Sequence, residues 1–380
     1  MIHKSFHIKN CSAQLSSFSH NSGKEFAITL NSSNNLTFEE QLQDIYNALN
    51  NILVIEEIPK ENLRFSRLYV SDIINQKPIF FESSLFSFLK DDSCISIIQQ
   101  APLCNSKVSL FIRLSQAEIL EKTILNNVLF IKEKQHEYLW TSNFDLPPNQ
   151  NSYVQSYSLV EELDKVLVSH GASLANNCVR TWFYVTNIDK NYMAMVEARK
   201  KYFTEVNLVP STHFIASTGI EGKSCNPHRT IAMESFSVLS LGNAKMSYIN
   251  VPDFMNSTHE YGVTFERATQ LEYDDYRHIL VSGTASINNK GDILFTNDIS
   301  SQFERAIINI EALLKAVDTT LADILYYIIY LRDFNEKDIV SNLFADRCPN
   351  KPAIFVLAPV CRPGWLIEIE CEVFGKINSR

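Results

Sequence analysis

Near the carboxyl terminus, the stretch CRPGWLIEIECEVF sets Glu368, Glu370 and Glu372 at every second position of an otherwise apolar run. Residues of equal parity share one face of a β-strand, so the three carboxylates point together while Ile367, Ile369, Cys371 and Val373 point the other way. Burial among apolar neighbours and repulsion between adjacent carboxylates both favour the neutral acid. A carboxylic acid that stays protonated near neutral pH can serve as a proton donor. On a half-solvated sheet the same pattern is only a row of water-facing charges, and both readings stand at this point.

Such a strand needs a sheet around it, and the chain is long enough to build more than one. At 380 residues, two or three domains are expected, and 45% hydrophobic with 20% charged residues is a globular composition. The formal net charge of -9 argues against nucleic acid as a partner, since phosphate binding requires a basic face. The eight cysteines form no CxxC pair and no Cys/His zinc spacing, so reduced thiols and no metal are expected. MIHKSFHIKNCSAQL has no continuous apolar leader, and LADILYYIIYL is far short of the roughly 20 residues that span a bilayer. A cytoplasmic protein without a membrane partner is the expectation.

An internal repeat organises the rest. GASLANNCVRTWFYVTNI (171–188) parallels DTTLADILYYIIYLRDF (318–334), with Tyr184 and Tyr330 aligned 146 residues apart. A helical pattern precedes each run (157–171 and 299–317) and another follows it (191–203 and 337–348). In 299–317, Phe303, Ile307, Ile310, Leu314 and Val317 recur at helical spacing, and Asp298 or Ser300 caps the start. The stretch 277–295 reads as a hairpin around Asn-Asn-Lys-Gly-Asp, and 126–143 as its weaker counterpart. Each copy reads β-β-α-β-α-β-β, an α+β sandwich whose helices cover one sheet face and leave the other to be buried or used. The division is 1–105, an irregular α/β region of unassigned topology; 106–243, a first, degenerate module; and 244–380, the module carrying the glutamates.

The repeat unit, with VSGTASI, a Gly-Asp turn, QFERAIINIEALLKA, DILYYIIYLRD and a closing EIE, resembles the RidA/YjgF family. Two such modules in tandem, with CVRTWFYVTNID (178–189), EYGVTFERAT (260–269), ILVSGTASI (279–287) and VCRPGWLIEIE (360–370), are more particularly similar to the chorismatases. The resemblance covers roughly residues 150 to 380. It implies small-carboxylate binding in a cleft between modules, a homotrimer or pseudo-trimer, no cofactor, and cleavage of the enolpyruvyl ether of chorismate to pyruvate and a cyclic acid. A Rid-type enamine or imine hydrolase and a non-catalytic carboxylate binder are the alternatives. Ile354 stands where the deaminases of the family carry a carboxylate-holding arginine, which weakens the first of these.

Within that resemblance, Glu368 is the general acid that protonates the methylene carbon. Chorismate is a dianion, and Arg180, set in an apolar strand, and Arg267 are the expected carboxylate clamps, because a guanidinium holds a carboxylate bidentately. Tyr261 is expected to donate a hydrogen bond to substrate. Cys361 matches a position at which chorismatases differ by product and there resembles the hydroxybenzoate-forming branch, whereas Ala268 pulls toward the hydrolytic one. Glu370 and Glu372 are expected to be structural or solvated groups.

Overall fold

The computed structural model describes residues 1–33, 35–146 and 150–377. The chain begins with β1 (Ile2–Ile8), β2 (Cys11–His20), β3 (Gly23–Ser32), α1 (Phe38–Ile55), β4 (Leu63–Val70), α2 (Ile73–Glu82), α3 (Ser84–Leu89), β5 (Cys94–Gln99), β6 (Ala101–Pro102) and β7 (Val108–Ser115). It continues with β8 (Ile119–Leu125), β9 (Val128–Glu133), β10 (Glu137–Ser142), α4 (Ser152–Ser169), α5 (Leu174–Asn177), β11 (Cys178–Val185), α6 (Ile188–Glu205), β12 (Ala216–Glu221), β13 (Lys223–Ser224) and β14 (Ile231–Ser240). Last come β15 (Lys245–Ile249), β16 (Ala268–Glu272), β17 (Tyr276–Ala285), α7 (Ile299–Lys315), β18 (Ile324–Leu331), α8 (Lys337–Arg347), β19 (Ala353–Leu357) and β20 (Ile367–Lys376).

These elements build three sheets of one design. Their orders are β1-β2-β3-β7-β4-β5-β13, β8-β9-β10-β14-β11-β12 and β15-β16-β17-β20-β18-β19-β6. In each, an antiparallel three-stranded meander is followed by a parallel crossover pair (β4 with β5, β11 with β12, β18 with β19), and the last strand inserts between meander and pair. The amino-terminal region is therefore a third module of the same topology. Because β7 pairs with β3 and β4, its boundary falls after Ser115 and not at residue 105. Long-range pairing fixed that boundary, and no local sequence signal marks it.

Capping and periodicity place the helices close to expectation. Asp298, rather than Ser300, caps α7 by accepting the Ser301 N–H at 3.0 Å. Phe303, Ile307, Ile310 and Leu314 are buried, but Val317 lies beyond the helix. There Asp318 turns left-handed (φ 53°), and the Thr319 N–H bonds to the Leu314 carbonyl. The expected hairpin at 277–295 does not form. Its first strand, β17, pairs instead with β16 and β20, and the return past Gly291 leaves only the bridge between Ile287 and Ile293.

The faces opposite the helices meet in a shared interior. Phe65 stacks on Trp140 with ring centres 5.0 Å apart, and Phe111 lies 4.3 Å from Tyr326. Each of these contacts joins two modules. Tyr69, Tyr184 and Tyr330 are fully buried and equivalent, paired with Ser109, Ala232 and Glu368 respectively. The modules also exchange edges: β13 of the second extends the first sheet, and β6 of the first extends the third. Between second and third, bridges join Ala216 to Glu266 and Ile220 to Val360. Among the described residues no helix is long and apolar enough to cross a membrane.

Candidate functional site

The alternation of β20 resolves the opening ambiguity. β20 lies inside its sheet between β17 and β18, and Glu368, Glu370 and Glu372 are all buried (6%, 2% and 2% exposed). None of them faces bulk water. What separates the three is their partners.

Glu370 accepts hydrogen bonds from Arg180 Nη2 at 2.9 Å, Trp182 Nε1 at 3.0 Å and Thr218 Oγ1. Glu372 takes Arg113 Nη2 at 2.8 Å and His278 Nε2 at 2.7 Å. Burial alone would raise its pKa, but Arg113 and His278 outweigh burial and hold it down at about 2. Both are therefore fastened into inter-module ion pairs, so of the two parts expected of them they take the structural one and not the solvated one. Among the described residues, Glu368 accepts no hydrogen bond from the protein and opens into a pocket between the second and third modules. Burial first, and then the neighbouring Glu370 charge, push its pKa up to about 8 against the pull of Arg180 and Arg267. That shift favours the protonated acid near neutral pH.

The wall facing Glu368 comes from the second module. Tyr192 and Arg199 stand seven residues apart on one face of α6, and Ser217 and Gly219 alternate on β12. The third module adds Tyr261, Phe265 and Arg267 from the segment before β16, Gly283 from β17, and Cys361, Arg362 and Trp365 from the segment before β20. Gly283 leaves room for the Glu368 carboxyl, since a Cβ there would overlap Glu368 Oε1 in its present position.

Three guanidiniums line this pocket, and none has a carboxylate partner among the described residues. Arg199 is 2% exposed; its Nε donates to Thr264 Oγ1 and its Nη1 to Ser217 Oγ, both at 3.2 Å, and its Nη2 has no partner. Arg267 donates from Nη2 to the Asn256 carbonyl at 3.0 Å, keeps Nε unpartnered, and lies 5.5 Å from the Tyr261 ring centre. Arg362 is bracketed by the Tyr261 and Trp365 rings, 4.8 Å from each. A buried guanidinium without a counter-ion is costly, and an anionic ligand removes that cost.

Of the residues expected at the site, Glu368, Arg267, Tyr261 and Cys361 are brought together. Arg180 is not. It is 1% exposed and committed to Glu370, so it belongs to the interior between modules and does not clamp a ligand. Ala268 is buried at the start of β16, outside the pocket lining. The Cys361 thiol is pushed up to about 12 by burial and then by Glu368, so it stays protonated and is no nucleophile at neutral pH. Burial likewise raises Tyr261 and keeps its hydroxyl a donor.

Arg199, Arg362, Tyr192, Ser217 and Gly283 went unsingled by sequence. For Arg199 a signal existed: Tyr192, Met195, Val196, Arg199 and Phe203 fall on one helix face, and all but Tyr192 are fully buried. The adjacent Lys200 and Lys201 disguised it as part of a surface charge run.

Residues 271–374 match the family described as endoribonuclease L-PSP. A crystal structure of a chorismatase is similar to 82% of this chain and 93% of its own, at 17% identity and a TM-score of 0.64. A putative endoribonuclease L-PSP from Entamoeba histolytica (17% identity, TM-score 0.29) covers 34% of this chain and 98% of its own. RidA from an Antarctic Psychrobacter covers 34% and 99% at 16% identity, with a TM-score of 0.29.

Proposed function

Taking the chain as a RidA-superfamily member similar in fold to the chorismatases, we propose that it cleaves the enolpyruvyl ether of chorismate or a close analogue. The observation that carries this reading is one buried carboxylic acid, Glu368, with its pKa raised, beside three arginines that lack carboxylate partners among the described residues. A dianionic enol ether asks for both. Arg199, Arg267 and Arg362 hold the carboxylates, and Glu368 delivers its proton to the terminal methylene carbon.

Protonation converts that methylene to a methyl group and leaves an oxocarbenium ion, which the Glu368 carboxylate, now charged, stabilises. Water adds to the cation and its proton returns to Glu368. The resulting hemiketal collapses to pyruvate and the ring alcohol. No redox partner or cofactor enters this balance. The ring of three modules within one chain takes the place of a homotrimer, and only one of its three equivalent positions, Ser109, Ala232 and Glu368, carries an acid.

Purified protein mixed with chorismate tests the reading, with released pyruvate followed by coupled reduction to lactate. Pyruvate release supports it. Ammonia release from an enamino acid with no pyruvate would favour the imine hydrolase, and saturable binding of chorismate with neither product a carboxylate binder.

A further inference from the structure

At one end of the shared interior, open to solvent, lies a second hollow of about 590 Å³, which has no lining residue in common with the pocket around Glu368. The tight turns joining β2 to β3, β9 to β10 and β16 to β17 are equivalent in the three modules and converge on it. Glu25, Glu118, Glu133, Asp274 and Asp275 line it against a single lysine, Lys134. Two guanidiniums stand close by, but Arg113 is bound to Glu25 at 3.1 Å and to Glu372, and Arg64 to Glu133 at 3.0 Å.

One wall is aromatic. Tyr273 and Tyr276 stack with ring centres 4.4 Å apart, His20 lies 4.2 Å from Tyr276, and His136 meets Tyr273 edge-on at 4.9 Å. Carboxylates around aromatic rings attract organic cations through charge and through the ring quadrupole together. An anion, or a neutral molecule of the same shape, has no such attraction here.

His20 supplies an independent observation. Its side chain is 3% exposed, and its Nδ1 lies 2.9 Å from Ser22 Oγ. Among the described residues its buried Nε2 has no hydrogen-bond partner, and it lies 3.7 Å from Glu25 Oε1. In the tautomer with Nδ1 donating to Ser22, the Nε2 lone pair faces Glu25 Oε1, which accepts from Ser115 Oγ at 2.7 Å and has a further lone pair on the His20 side, and no donor lies between Nε2 and that oxygen. An ammonium group has three donors and satisfies both.

We propose that this hollow binds a small organic cation carrying a primary ammonium group, held by His20 Nε2, Glu25 and the Tyr276 ring. Asp274 and Glu118 draw it toward the mouth. Titration calorimetry of the full chain with 1,4-diaminobutane, and with uncharged 1,4-butanediol as control, tests this. Saturable binding of the diamine alone is expected, weakened about tenfold by His20→Phe through loss of the buried acceptor. Asp274→Asn, at an exposed position, should weaken it by a smaller factor with the melting temperature of the free protein unchanged. No saturation, equal binding of the diol, or undiminished diamine affinity in Asp274→Asn and in any folded His20→Phe protein would overturn the proposal.

Discussion

Gly283 lies directly over Glu368. The register of β17 on β20 slips between Val281 and Thr284, and the Gly283 N–H within that bulge donates to Thr218 Oγ1 at 2.9 Å. The acid thus owes its position to a neighbour without a side chain.

A methyl group at that position should push the carboxyl aside while leaving the sheet intact. Gly283→Ala is expected to lower pyruvate release by on the order of 10²-fold, the cost of a displacement near 1 Å, with an unchanged circular dichroism spectrum. Full activity in this variant would remove the positional argument for Glu368.

Arg199 and Arg180 are both fully buried, and the structure gives them opposite parts. Arg199→Met should raise KM by roughly 10- to 100-fold by removing charge-assisted bonds to a substrate carboxylate, with little loss of stability because it leaves no carboxylate unpaired. Steady-state kinetics and a thermal melt together check this.

Arg180→Met should do the reverse. It leaves buried Glu370 with Trp182, Thr218 and only the more distant Arg67, 3.8 Å away, and breaking a buried pair from one side costs about 3–5 kcal/mol. Urea unfolding is expected to show that loss, with KM of the folded fraction close to that of the parent protein.

Much of the architecture was legible, and the reasons are physical. Alternation in β20 separated the glutamate face from the Ile367 and Ile369 face. The 146-residue spacing of Tyr184 and Tyr330 corresponds to two equivalent strands, β11 and β18, because both must fill the same interior. The first module escaped notice because the equivalence of Tyr69 to Tyr184 rests on register and not on similar residues around it. Arg180 misled for a related reason. A lone arginine in an apolar strand signals a buried partner, but sequence does not say whether that partner is a ligand or a carboxylate from another module.

The pKa of Glu368 makes stability depend on pH. Its folded value of about 8 exceeds the ordinary 4.5, so its contribution is full below pH 4.5 and is lost as pH rises through 8. Glutamine cannot ionise. Glu368→Gln should therefore gain stability relative to the parent protein progressively between pH 5 and pH 8, levelling off above; urea midpoints across that range check it, and a difference independent of pH would contradict it.

The most direct measurement is the pH profile of kcat/KM for pyruvate release from chorismate, taken for the parent protein and Glu368→Gln side by side. The parent profile should fall as pH rises through about 8, where the acid loses its proton, and the variant should be slower by roughly 10²- to 10⁴-fold with no such limb. Undiminished pyruvate release by Glu368→Gln, or none by the parent protein, would contradict the account.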